Sequence, residues 1–237
     1  MLHLYIANIN CFCREEIFLK GCGMVDAVRL AKTDQCKKSQ DKARSLCCGL
    51  LLQYALGMAL GRGIWQTDRQ TEKLEIRYRY AAGGKPYFLD YPQFYFSLSH
   101  SGEYAALAFS DRETGLDIQQ ERPVRRETVD RVLSVQEYRR YRELEGEEEK
   151  TGWFFRCWCA KESYGKLKGT GLSEDPRRTA LSGDGRSISR EADRVPCREY
   201  RLAGQYYMNV CVGQQEGAES FPDRIEDVTR ELLSVII

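Results

Sequence analysis

"TGLDIQQ", residues 114–120, decides how the rest of the chain is read. Side chains alternate faces along a strand, so Leu116 and Ile118 share one apolar face while Asp117 and Gln119 project together from the other. A strand patterned this way is either an ordinary half-exposed strand or the wall of a site. Its surroundings in the chain must choose.

Just upstream, "FYFSLSH" (94–100) alternates in the same way and ends at the turn residues Ser101-Gly102, and "EYAALAFS" (103–110) follows as the next strand. With "LDIQQ" these form an expected β-meander that brings His100 and Asp117 to neighbouring strand ends. Further upstream lie a strand candidate, "LHLYIANI", and a long helical region from Asp26 to Leu60. A strand over Leu74–Tyr80 follows, with a Gly83-Gly84 turn closed by Pro86. Downstream, "TVDRVLSVQEYRRYREL" reads as helical and "EGEEEK" as an acidic loop. In "TGWFFRCWCAKESYGKLKG", Trp153, Cys157, Ala160, Tyr164 and Leu167 recur at helical spacing as one apolar stripe. Glu162 and Lys166, four apart, share a face away from the stripe's centre. From Gly171 to Pro196 the chain reads as loop-rich, with a turn at "SGDGRS", before the strong strand "YYMNVCV". Each half thus offers a long helix with strands around it. The expectation is two similar α+β halves, 1–112 and 113–237, meeting near Asp117.

A chain of 237 residues is long enough to bury a sizeable core. Lys and Arg total 36 against 35 Asp and Glu, a net charge of +1, which argues against a surface built to grip nucleic acid. The first twenty residues lack a cationic start, an apolar core and a small-residue cleavage site, so no secretory signal is expected. The most apolar stretch, Leu46 to Gly61, carries Gln53 and falls short of the ~20 residues a bilayer span needs. A buried core helix is expected instead. The ten cysteines form no C-x-x-C pair, and His3 and His100 are the only imidazoles, so zinc signatures are absent. Reduced thiols in a cytoplasmic protein are the reading.

Four features bear on chemistry. "SLSHSG" (97–102) groups hydroxyls and an imidazole at a strand end, donors of the kind that hold phosphate. Asp117 and Gln119 offer oxygens to a hard cation. Glu162 can act as ligand or base, with Lys161, Lys166 and Lys168 to balance phosphate charge. Arg29, Lys32, Lys37, Lys38, Lys42 and Arg44 face only Asp34 and Asp41 in opposite charge. Each has an ordinary structural alternative: a satisfied turn histidine, a polar strand face, a solvated Glu/Lys pair, a wet basic face. Together they supply what phosphoryl transfer asks for. No G-x-x-x-x-G-K-[ST] loop, G-x-G-x-x-G or G-x-S-x-G elbow is present. The residues alone point to Mg²⁺-dependent handling of a phosphate ester by an enzyme.

"GGKPYF…FSLSHSG", "GLDIQ" and "WCAKESYGKLKGTGL" stand in an order, from Gly84 to Leu172, that resembles the larger, surfactin-synthetase-type 4′-phosphopantetheinyl transferases. That resemblance implies a pseudo-dimeric α+β fold, its two halves related by a pseudo-twofold and each a small antiparallel sheet packed on a long helix. It implies transfer of the phosphopantetheine arm of coenzyme A to a serine of an acyl or peptidyl carrier protein, releasing adenosine 3′,5′-bisphosphate. Carried over by position, Asp117 and Glu162 ligate Mg²⁺, Glu162 or a water it holds is the base, and Lys166 sits on the pyrophosphate. Ser99, His100, Lys85 and Pro86 contact coenzyme A. Arg29, Lys32 and Arg44, with Ser45 beside them, take the nucleotide 3′-phosphate. Glu137 matches a further acidic position. A monomer is implied, since both halves lie in one chain, with no nucleic-acid or membrane partner.

One departure stands out. Many relatives carry Glu two positions after the strand Asp, where this chain has Gln119. An amide oxygen brings no charge, so Gln119 or a water in its place completes the metal shell. This substitution is also the sole sequence support for the alternative, a non-catalytic module that binds coenzyme A or a carrier protein. An RNA-binding face along Arg29 to Arg44 is a third reading, disfavoured by the near-zero net charge.

Overall fold

The structure is a computed structural model that describes residues 1–62, 73–171, 175–202, 205–213 and 221–237. Leu172, where the motif match ends, lies outside them.

Strand β1 (Leu2–Asn8) leads through a short 3₁₀ turn into helix α1 (Glu15–Cys22), then α2 (Ala27–Gln35) and α3 (Ser39–Ala59). The long helical region is therefore two helices, broken at Cys36 and Lys38, which are extended. Asp26 caps α2 by accepting from the Arg29 N–H at 2.9 Å. The Thr33 hydroxyl donates to Ser45 Oγ at 2.8 Å, pinning α2 back on α3. The break separates two unlike surfaces. α3 sinks Leu46, Leu50, Leu51, Leu52 and Leu56 completely, each burial stabilising the fold by about 1.5–3 kcal/mol, whereas α2 lies nearer the surface, with Lys32 exposed and Arg29 and Thr33 turned inward. Gln53, inside this apolar helix, is fully buried yet satisfied: its amide exchanges two 2.9 Å bonds with the Leu74 N–H and C=O. Leu74 therefore bonds to a helix side chain and not to a sheet, and the expected strand shortens to β2 (Tyr78–Tyr80), paired with β3 (Pro86–Phe88).

Strands β4 (Tyr95–Ser101) and β5 (Tyr104–Ser110) form the expected hairpin. β6 (Thr114–Gln120) does not continue that sheet. It is the edge of a second sheet, ordered β6-β10-β9-β8-β7, while the first is ordered β11-β1-β5-β4. What joins them is a row of serines. The Leu116, Ile118 and Gln120 N–H groups of β6 donate to the hydroxyls of Ser97, Ser99 and Ser101 on β4, at 2.9, 3.3 and 2.9 Å. Donors that an edge strand would leave orphaned are thus met by side chains, and the two sheets meet without a shared backbone ladder.

After β6 the chain forms α4 (Arg126–Val132), α5 (Val135–Glu143) and the long α6 (Glu147–Lys168). The expected acidic loop is in part the first turn of α6, where Glu147, Glu148 and Glu149 meet the positive end of the helix dipole. The stretch expected to be loop-rich holds β7 (Thr179–Leu181), β8 (Ser187–Arg190) and the start of β9 (Asp193–Leu202), followed by β10 (Tyr206–Val212). β7 and β8 are three and four residues long, too short to give a clear alternation. The final segment returns to the first sheet: β11 (Glu226–Asp227) runs parallel to β1, and Leu232 of α7 (Thr229–Ser234) joins the core around α3.

Three cores result. One packs α3 on the first sheet, one packs α6 on the second, and a third lies between the sheets. Leu116 and Ile118 fill the third, as their alternation required. The other face of β6 is not solvent-exposed: Asp117 is only 2% accessible. No described helix is long and apolar enough to cross a membrane. All ten cysteines are free thiols.

Candidate active site

Asp117 lies where β6 meets α6 and β4. Close approach of strand to helix depends on Gly115, where a Cβ would collide with the Ser163 carbonyl and the Leu167 N–H. With that space closed, Lys166 reaches across. Its ammonium donates to Asp117 Oδ1 at 2.7 Å and to Ser99 Oγ at 2.9 Å. The Ser99 hydroxyl donates to the same Oδ1 at 2.8 Å, and the Gln119 amide nitrogen donates to Oδ2 at 3.0 Å. A buried carboxylate needs such partners. Asp117 is held in one orientation from three elements.

Glu162 sits one helical turn before Lys166. Its carboxyl is pushed up to about 7, first by burial and then by the negative charge of Asp117, with Lys166 opposing. Repulsion between two neighbouring carboxylates is what a bound divalent cation would relieve. The donors are hard oxygens, the class that Mg²⁺ prefers, and one or two carboxylates with substrate phosphate commonly suffice for it. Among the described residues there is no cluster of three or more His, Cys, Asp or Glu side chains; Asp117 and Glu162 are the carboxylates that would hold such an ion. Gln119 faces Asp117 with its amide nitrogen, which leaves its oxygen for another partner.

Beside these groups lies a cleft of about 370 Å³, lined by Arg29, Lys32, Tyr80, Lys85, Pro86, Ser97, His100, Glu162 and Lys166 among others. The Gly83-Gly84 turn closes one side by resting on the end of α6, so tightly that a Cβ on Gly83 would overlap the Gly169 carbonyl. This contact fixes Lys85, whose ammonium donates to the Leu167 carbonyl at 2.6 Å and lies 3.4 Å from Glu113. Burial lowers the Lys85 pKa, with Glu113 opposing. His100 is open to solvent at the mouth, yet the cleft walls desolvate it enough to lower its pKa, and Arg44, Lys166 and Arg29 add repulsion. The lining sets four cationic side chains and an imidazole against one carboxylate, a balance that favours an anion.

Most of the sequence-selected residues converge here, but not all face the cleft. Arg29, Lys32, Lys85, Pro86, His100, Glu162 and Lys166 line it. Asp117 and Ser99 are buried in the wall behind. Ser45 is spent on the α2–α3 clasp. Arg44 donates to the Gly102 carbonyl at 2.8 Å and pairs with Asp41, beside His100. Glu137 lies elsewhere: it is 2% exposed, ion-paired with Lys161 at 2.8 Å, and accepts from the N–H groups of Ser134 and Leu181. Sequence reasoning passed over Tyr80, whose exposed ring at a strand end carried no motif signal. It also passed over the pairing role of Ser97, Ser99 and Ser101, whose signal was their strict alternation opposite "LDIQ".

The family model for the 4′-phosphopantetheinyl transferase superfamily matches residues 113–213, which include β6 and α6. The chain is 33% identical over 179 residues to the 4′-phosphopantetheinyl transferase Sfp of Bacillus subtilis, covering 73% of this chain and 76% of that one. It is 29% identical over 218 residues to the 4′-phosphopantetheinyl transferase ffp of Bacillus subtilis, covering 89% and 91%. The chain belongs to the 4′-phosphopantetheinyl transferase superfamily. Within it, this protein is an enzyme, a phosphopantetheine–protein transferase of the surfactin-synthetase type.

Proposed function

We propose that the protein moves the 4′-phosphopantetheine arm of coenzyme A to a serine of an acyl or peptidyl carrier protein, with Mg²⁺ held by Asp117 and Glu162. The reading rests on one observation: Glu162 and the Asp117-paired Lys166 share a cleft lined otherwise by cations. When bound, Mg²⁺ supplies charge neutralisation for the pyrophosphate. This chain's residues do the rest. Lys85, His100 and Lys166 hold the phosphates, while Arg29 and Lys32 hold the nucleotide end, with Arg44 and Ser45 behind them. Glu162 accepts the serine proton, directly or through a water. The serine Oγ–P bond forms, the bond from that phosphorus to the bridging pyrophosphate oxygen breaks, and adenosine 3′,5′-bisphosphate leaves with the electron pair. Gln119 either turns its oxygen to the metal or yields that place to a water. The working unit is a cytoplasmic monomer whose halves, 1–112 and 113–237, enclose the cleft.

The test is mass spectrometry of an apo carrier protein incubated with this protein, coenzyme A and Mg²⁺, beside an EDTA control. A gain of one phosphopantetheine, lost with EDTA, is expected. Gln119, whose amide donates to Asp117, favours the second reading, a module that binds without transfer. Coenzyme A binding with no gain on any carrier would select it.

A further inference from the structure

Tyr80 lines the cleft, and neither the motif match nor the reaction above uses it. Strand β2 sets it opposite Pro86, and the residue is 39% exposed. Behind it the buried Tyr78 meets the ring edge-on, with centroids 5.9 Å apart, and Tyr78 in turn meets Phe96 edge-on at 6.0 Å. The ring is thereby anchored to the core of the first sheet. In front, Lys32 Nζ of α2 stands 4.1 Å from the ring centroid. Lys32 is otherwise an exposed helix lysine, a flexible stem with many rotamers, and the ring selects the one that points into the cleft. Three residues earlier on the same helix face, Arg29 is 9% exposed with its Nε lacking a protein partner.

We propose that Tyr80 is a positioning residue: its π face holds Lys32 beside Arg29, so that the two cations meet the nucleotide's 3′-phosphate already aligned. An aromatic ring suits this duty better than Asp or Glu. It attracts the ammonium but brings no negative charge to repel an arriving phosphate. This inference rests on the reading that the cleft takes coenzyme A.

The experiment is calorimetric titration of the full chain with coenzyme A and with 3′-dephospho-coenzyme A. The proteins are wild type, Tyr80→Leu, Tyr80→Gln, Tyr80→Phe, Lys32→Met and the Tyr80→Leu/Lys32→Met double variant, each checked for an unchanged melting curve. Loss of the ring should weaken coenzyme A binding roughly two- to fivefold, the range an exposed cation–π contact commands. Binding of 3′-dephospho-coenzyme A should not move, and Tyr80→Phe should restore coenzyme A affinity. The double variant should bind no more weakly than Lys32→Met alone. In turnover assays the loss should fall on KM and not on kcat. Unchanged coenzyme A affinity in both ring-deleted variants would overturn the proposal. So would equal losses for both ligands, or losses that add to that of Lys32→Met, because the ring would then touch the substrate itself. If the wild-type protein binds neither ligand, the reading of the cleft falls first, a result distinct from any of these.

Discussion

Lys166 Nζ and Asp117 Oδ1 stand 2.7 Å apart, one on α6 and the other on β6. Asp117 is 3% exposed at its side chain and Lys166 30%, so the pair has a buried and an open end. Lys166 offsets the charge of Asp117, which already opposes Glu162, and its open end faces the cleft. Replacing it with Met removes a preorganised cation from the site of developing phosphate charge. Transfer should fall about 10²- to 10³-fold, read in kcat under saturating coenzyme A. A drop below tenfold would show that Lys166 serves Asp117 alone.

Glu162 sets a pH dependence on the metal-free protein. Its folded-state carboxyl titrates at about 7, above the ordinary 4.5. Between these values the unfolded chain has lost a proton that the folded chain retains, so stability falls as pH rises through the window and levels off above 7. The full shift would correspond to roughly 3 kcal/mol, and solvent screening of a partly exposed side chain reduces this to about 2 kcal/mol. Urea denaturation in EDTA at pH 5 and pH 7.5 should show the decline. Glu162→Gln should flatten it, stabilise the metal-free protein at pH 7.5 and abolish transfer. The depressed His100 pKa acts in the opposite sense up to about 6.5, so a pH slope that Glu162→Gln leaves unchanged would refute the assignment.

The serine row predicts a graded response. Ser97 and Ser99 are buried and Ser101 is half-exposed. Each change to Ala leaves one β6 N–H without its partner, at a cost of about 1–3 kcal/mol where water cannot replace it. Ser97→Ala and Ser99→Ala should therefore lower stability more than Ser101→Ala. Only Ser99→Ala should also reduce transfer, because Ser99 alone bonds both Asp117 and Lys166. Chemical denaturation with parallel activity assays separates the two effects.

These same serines mark the boundary of what the sequence made legible. The period of two in "FSLSHS" and "GLDIQ" located both strands and the inward side of Leu116 and Ile118, because alternation is a local signal. That β6 belongs to a different sheet was hidden, since hydroxyl-to-backbone pairing across a seam leaves no trace in hydrophobic pattern. The turn between α2 and α3 was likewise invisible, because no Gly or Pro marks Cys36 to Lys38. Gln53 argued for a buried core helix over a membrane span, but its partner, Leu74, left no signal in the sequence. The site fared better. Lys85, His100, Glu162 and Lys166 were selected from motif order and share one cleft. Ser45 was selected on weaker grounds and is bonded within the helix pair.

Glu137 gives the last prediction. It completes a capping box at the start of α5, accepts from the Leu181 N–H at 2.9 Å on β7, and ion-pairs with Lys161 of α6, whose side chain is 1% exposed. Lys161 also donates to the Pro176 carbonyl at 2.9 Å and to the Thr179 carbonyl. One carboxylate thus ties α5 and β7 to α6, the helix that carries Glu162 and Lys166, without reaching the cleft. Removing one member of a fully buried pair strands the other charge and costs roughly 3–5 kcal/mol. Glu137→Ala and Lys161→Met should each lose about that much in urea denaturation. The double variant should lose clearly less than their sum, because neither charge is then left alone. Below the melting transition, the folded fraction of Glu137→Ala should keep its KM for coenzyme A. A large rise in that KM with normal stability would instead place Glu137 in contact with substrate.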